Sequence, residues 1–148
     1  MARHIKFEAF NLNSENNSQI SFDVRVKTIK DSDIVIGTIC KRVFDWYDLQ
    51  KECHVQGLKT RHLGLRWTIA GKTFDTSRWD IRLQEKLNMG YSAKSKLRFM
   101  RRFKVCYEML TAWASDKSGT SFASLEAELL ATFEAEDNTQ RMMDYILQ

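Results

Sequence analysis

Between Ile20 and Thr28 apolar and polar residues alternate strictly, with Ile20, Phe22, Val24 and Val26 set against Ser21, Asp23, Arg25 and Lys27. A period of two predicts a strand with one buried face. A similar alternation runs from His4 to Leu12. There Ile5, Phe7 and Ala9 share a face, and Phe10 and Leu12 break the phase, which predicts a bulge or the end of a strand. The Asn-rich stretch between the two (11–18, NLNSENNS) is turn chemistry, so the pair reads as an antiparallel hairpin with one solvated face. A third alternation puts Leu63, Leu65, Trp67 and Ile69 inward and His62, Arg66 and Thr68 outward. It ends at Ala70-Gly71-Lys72, after which Thr73 and Phe74 pair back briefly. These segments predict a sheet of at least three strands.

Elsewhere the apolar period lengthens to three and four, the spacing of one helix face. Ile36, Ile39, Val43 and Trp46 or Tyr47 predict a helix over 34–52, with Asp31-Ser32-Asp33 as capping residues. Trp79, Leu83 and Leu87 predict a helix over 77–88, capped by Thr76 or Ser77 and stopped at Gly90. Ser92 caps a long helix over 93–114. The link SDKSGTS precedes a helix over 122–133, and a short final helix is expected over 138–147. The fold class that follows is α+β. A small antiparallel sheet of about three strands from the N-terminal half packs against a helical C-terminal half. The chain is read as a single domain over 1–148, mostly β with one helix up to residue 75 and helical from 76.

Composition sharpens this little. The chain has 148 residues, 43% of them hydrophobic and 28% charged, so it can hold a core without disulfide or metal staples. It contains no proline and six glycines, which suits helices with short connections. Three widely spaced cysteines (Cys40, Cys53, Cys106) are not a disulfide framework. The N-terminal residues carry no signal-like apolar run and no stretch approaches 18 apolar residues. The expectation is an intracellular, cytoplasmic protein in a reducing environment, neither secreted nor bound to membrane.

Charge changes the picture more. Residues 94–104 (KSKLRFMRRFK) hold six bases and no acid. From Ser115 onward, seven acids face two bases, so the tail is net −5 in a chain that is +4 overall. At 100° per residue, Lys94, Arg98, Arg101 and Arg102 fall within about 100° of arc, opposite a face of Leu97, Phe99, Met100, Phe103, Tyr107 and Leu110. A row of cations beside aromatics is the usual footprint of a nucleic-acid or acidic-partner surface, and arginine can hold phosphate or carboxylate bidentately. The leading expectation is therefore a non-enzymatic binding protein. It engages nucleic acid, DNA or RNA, or a nucleoprotein complex, through Lys94, Arg98, Arg101 and Arg102, with Lys96 and Lys104 flanking. The two helices around Gly90 also meet the outline of a helix-turn-helix, as any helical hairpin does.

Weaker constellations complete the inventory. Lys6, Arg25, Lys27, Lys59, Arg61 and Arg66 put bases on or near the polar face of the sheet, but Phe7, Phe22 and Trp67 sit on the apolar face, so no base-stacking platform is predicted there. Cys53, His54 and His62 lack the paired spacing of a zinc site, and no metal or other cofactor is expected. Asp45, Asp48 and Lys51 read as a salt-bridged helix face. No phosphate loop, G-x-S-x-G or H-E-x-x-H motif occurs, so catalysis is not the expectation. A metal-independent nuclease using His4, His54 or His62 is the enzymatic alternative. The other alternative is a small adaptor or inhibitor. Its acidic C-terminal helices, or an apolar patch of Met142, Met143, Tyr145, Ile146 and Leu147, would dock on a protein partner or a second copy.

Overall fold

All three alternating segments become strands of one sheet in the computed structural model, which describes residues 3–11, 19–26, 29–52, 63–87, 92–115 and 121–147. Strand β1 (Arg3–Asn11) pairs antiparallel with β2 (Gln19–Val26) on one side and β3 (Leu63–Ile69) on the other. Strand β4 (Lys72–Asp75) adds a fourth strand beside β3, for the order β2-β1-β3-β4. The β3–β4 connection is a two-residue loop, Ala70 and Gly71, with φ of 50° and 79°. Two successive positive φ values match the right-handed twist of the flanking strands, which is why such short hairpin loops favour them.

Of the two expectations for β1, a bulge or the strand's end, the second holds: its pairing with β2 runs in step from Arg3 opposite Val26 to Phe10 opposite Gln19, and the strand ends at Asn11. Phe10 breaks the hydrophobic phase for another reason. It sits on the face opposite Ile5, Phe7 and Ala9, yet is buried, with the Arg66 guanidinium 5.0 Å from its ring centre. A cation over an aromatic face lets the sheet carry one apolar ring on its polar side.

The helices are α1 (Ile29–Glu52), α2 (Ile81–Lys86), α3 (Ala93–Ser115) and α4 (Phe122–Ile146). The protein is thus α+β. Helix α1 starts five residues earlier than expected, so Asp31-Ser32-Asp33 lie inside its first turns rather than capping it. Thr76–Arg78 is a separate 3-10 turn, capped by Asp75. Helix α2 begins only after Asp80, whose side chain accepts from the Arg82 N–H at 2.9 Å. Helix α4 is continuous: Glu134 to Asp137 are good enough helix formers, with neither glycine nor proline to stop them, so the two expected helices are one.

One contiguous core joins these parts. Helix α1 packs on β2 and α3, and α4 packs on α2 and α3. At its centre, the Phe103 ring of α3 lies 5.4 Å from Phe7 and 5.2 Å from Trp67. Both cysteines that can be described, Cys40 and Cys106, are buried and free. Burial pushes the Cys40 thiol up to about 12 and raises that of Cys106 as well, so both act as small apolar fillers.

Where the β3–β4 ladder ends, a side chain takes over: the buried Leu65 N–H donates to Thr76 Oγ1 at 2.9 Å. Thr76→Val keeps the shape and leaves that N–H without an acceptor. The expected cost is about 1–3 kcal/mol in urea denaturation, and a loss below about 0.5 kcal/mol would show that water replaces the hydroxyl.

Candidate functional site

Helix α3 carries the charge-bearing segment, and Ser92 starts it as expected, its hydroxyl accepting from the Ser95 N–H at 3.1 Å. Phe99, Phe103, Cys106, Tyr107 and Leu110 turn to the core. Lys94, Arg98 and Arg101 are exposed on the opposite side and have no ion pair among the described residues. Leu97, expected on the core face, is 44% exposed and sits among these cations.

The other three bases are spoken for. Arg102, expected in the open stripe, is 3% exposed and belongs to the interior. At 100° per residue it lies at the edge of the stripe nearest α4, and α4 meets it there. Its guanidinium pairs with Asp137, donates to the Lys86 carbonyl and lies 5.3 Å from the Phe133 ring. Lys86 pairs with the same Asp137 carboxylate. Burial alone would raise the Asp137 carboxyl, but the hydrogen bond from Lys86 and the charge of Arg102 outweigh it and hold it below the usual carboxylate value. Lys96 reaches Asp48 of α1 at 3.2 Å, and Lys104 reaches Asp33 at 2.9 Å. The hydrogen bond to Asp33 raises the Lys104 ammonium above its ordinary value. The four-cation stripe and its two flanking lysines thus reduce to three open cations.

Several acids of α4 are used within the molecule. Glu126 accepts from the Asp80 N–H at 2.8 Å, at the start of α2, and Glu136 lies 3.9 Å from Arg102. Glu128 and Glu134 stay exposed. Beyond Asp137 every residue of α4 is exposed, including Met142 at 66% and Tyr145 at 80%, as is Leu147 after it at 77%. The predicted apolar patch is therefore uncovered in this chain.

Sequence reasoning missed a second basic place. Lys72, Arg78 and Arg66 border a cleft of about 560 Å³ at the β4 end of the sheet. Its wall is aromatic, built from Phe74, Trp79, Trp113 and Phe122. Four distant segments supply these residues, so no local pattern announces them.

The histidine and cysteine candidates for catalysis or metal lie outside this description. Cys53, His54 and His62 fall beyond the described residues, as do Lys27, Lys59 and Arg61, and the His4 and Arg25 side chains are likewise not described. Asp48 pairs with Lys96 of α3, and the Lys51 side chain is not described. The helix-turn-helix outline loses its first helix, which shrinks to six residues. No described helix is long and apolar enough to cross a membrane. No protein-family model, curated protein or solved structure matches the chain.

Proposed function

We propose that this is a non-enzymatic binding protein that engages nucleic acid, or a nucleoprotein, through Lys94, Arg98 and Arg101. One observation carries the reading. Three exposed cations share one helix face and have no ion pair among the described residues, whereas the three neighbouring bases all have acidic partners. Positions 94 to 101 span about 10 Å of helix, enough to meet adjacent phosphates of a backbone. Such contacts release counterions and position the protein without reading sequence.

The test is fluorescence anisotropy with labelled single- and double-stranded DNA and RNA across a salt series. Three phosphate contacts set a log–log slope of about −2.7 on duplex and about −2.1 on single strands. Lys94→Glu/Arg98→Glu/Arg101→Glu is expected to abolish binding while the circular dichroism spectrum stays unchanged. Absence of binding by the wild type at low salt ends this reading.

The uncovered end of α4 supports a second reading, a protein-docking role in which the patch seats a second copy of the chain. Sedimentation velocity then shows self-association, and Met142→Asp/Ile146→Asp returns the protein to a monomer. A wild type that stays monomeric at high micromolar concentration removes the second copy as the occupant.

A further inference from the structure

We propose that the cleft between β4 and the facing ends of α3 and α4 binds one unpaired nucleotide. The base would lie on the aromatic wall and the phosphate between Lys72 and Arg78. This inference stands apart from the basic face of α3: Trp113 lies near the opposite end of that helix, 19 residues from Lys94.

The wall is a continuous aromatic surface. Trp113 packs against Phe74 at 5.4 Å and Phe122 at 6.0 Å between ring centres, and Phe122 contacts Trp79 at 5.9 Å. Phe74 and Trp79 are buried, whereas Trp113 and Phe122 are only partly covered, so aromatic surface is left open to the cleft. Behind it Trp79 stacks on Trp67, 5.9 Å away and within 10° of parallel, which ties the wall to the core. The wall is thus built before any ligand arrives.

The three cations differ in what they are free to do. Arg66 is committed: it donates to Asp75 at 3.0 Å and lies 3.9 Å from Glu8. Burial would raise the Asp75 carboxyl, but hydrogen bonds from Ser77 and Arg66 outweigh it and keep the acid charged. Lys72 and Arg78 are exposed and have no carboxylate partner among the described residues. The Lys72 ammonium rests 4.5 Å from the centre of the Trp113 ring. That contact marks an accessible π face, and an exposed cation–π contact is weak enough for the ammonium to leave it for a phosphate.

Charge and shape together select the ligand. An aliphatic anion satisfies Lys72 and Arg78 but leaves the aromatic wall wet. A neutral aromatic covers the wall and leaves two cations without a counter-charge. A nucleotide supplies a planar π system and a phosphate at one sugar's separation, and a cleft of about 560 Å³ lies within the common range for small-ligand sites. The nucleotide is either free or an unstacked position of a single strand, and both present the same chemistry.

The experiment follows the indole N–H signals of the four tryptophans in a proton–nitrogen correlation spectrum. The full chain is titrated with AMP, UMP, inorganic phosphate and a five-nucleotide single strand. The Trp113 and Trp79 signals are expected to move with saturation, while Trp46 stays in place. Movement with AMP or UMP identifies a free nucleotide, and movement with the strand alone identifies a strand nucleotide. Lys72→Glu/Arg78→Glu should weaken binding at least tenfold with the unliganded indole spectrum preserved. These are exposed side chains, so the variant tests the site without endangering the fold. Lys94→Glu/Arg98→Glu/Arg101→Glu should leave the Trp113 shift intact, which separates this site from the α3 face. The proposal is overturned if neither nucleotides nor strand move Trp113, if phosphate alone binds as tightly as AMP, or if the α3 variant removes the shift.

Discussion

Arg102→Ala is expected to cost about 3–5 kcal/mol of folding stability, whereas Arg101→Ala, one residue away, should stay within about 0.5 kcal/mol. The contrast follows from where the two guanidinium groups sit. Arg101 points to solvent, and Arg102 is 3% exposed and joins three helices. It satisfies the Lys86 carbonyl at the end of α2, the Asp137 carboxylate of α4 and the face of Phe133. Truncation leaves a carboxylate half-covered with only Lys86 to balance it, and opens a gap against Phe133. At about 2–4 °C per kcal/mol for a chain of this size, the melting point should fall by roughly 10 °C. The same cluster predicts an acid limb. A carboxyl held below its unfolded value of about 3.9 stabilises fully above that pH and loses its contribution as pH falls through its native value. Asp137→Asn should therefore be less stable than wild type at pH 7 and lose less stability between pH 5 and pH 2. Equal losses would place the acid sensitivity elsewhere. Arg102→Met completes the set: an apolar replacement that restores much of the stability would show that the pair serves alignment more than strength.

Phe103→Ala is expected to be equally severe, at about 3–5 kcal/mol by guanidinium denaturation. Phe103 is fully buried and its ring contacts Phe7 of β1, Trp67 of β3 and Phe99 of its own helix. It is the knob that seats α3 on the centre of the sheet. The surrounding rings are too rigid to collapse into the space it leaves, so the cavity term adds to the lost transfer energy. Phe103→Leu, which keeps most of the volume, should cost much less. A loss below about 1.5 kcal/mol for the alanine variant would mean that α3 slides inward to fill the gap.

Both variants bear on what could be read in the sequence. The strands were legible because a half-buried sheet imposes a period of two on its own residues, as Ile5, Phe7 and Ala9 or Leu65, Trp67 and Ile69 show. Helix edges were less so. Residues 29–33 carry neither breaker nor apolar stripe, and Glu134 to Asp137 look like a polar link although they are helical. The candidate site was legible only as charge. That Lys94, Arg98 and Arg101 share a face follows from local spacing. That Arg102 leaves them does not, because its partner Asp137 lies 35 positions away. Lys96 and Asp48 are 48 positions apart. The cleft is the extreme case: Lys72, Arg78, Trp113 and Phe122 meet only through the assembled core.

The strand order has a consequence for how the chain comes into being. Strand β1 holds the middle of the sheet, yet the segment that covers its second edge, β3, is translated roughly 60 residues later. At about 5–20 residues per second the ribosome leaves that edge open for several seconds. During this interval a hairpin of β1 and β2 offers a row of unpaired backbone groups to any neighbouring nascent chain. Helix α1, made in the meantime, settles on β2, which lies on the other side of β1 from that edge. Yield on expression should therefore respond to translation speed across codons 12–69 more than to the final stability of the folded protein.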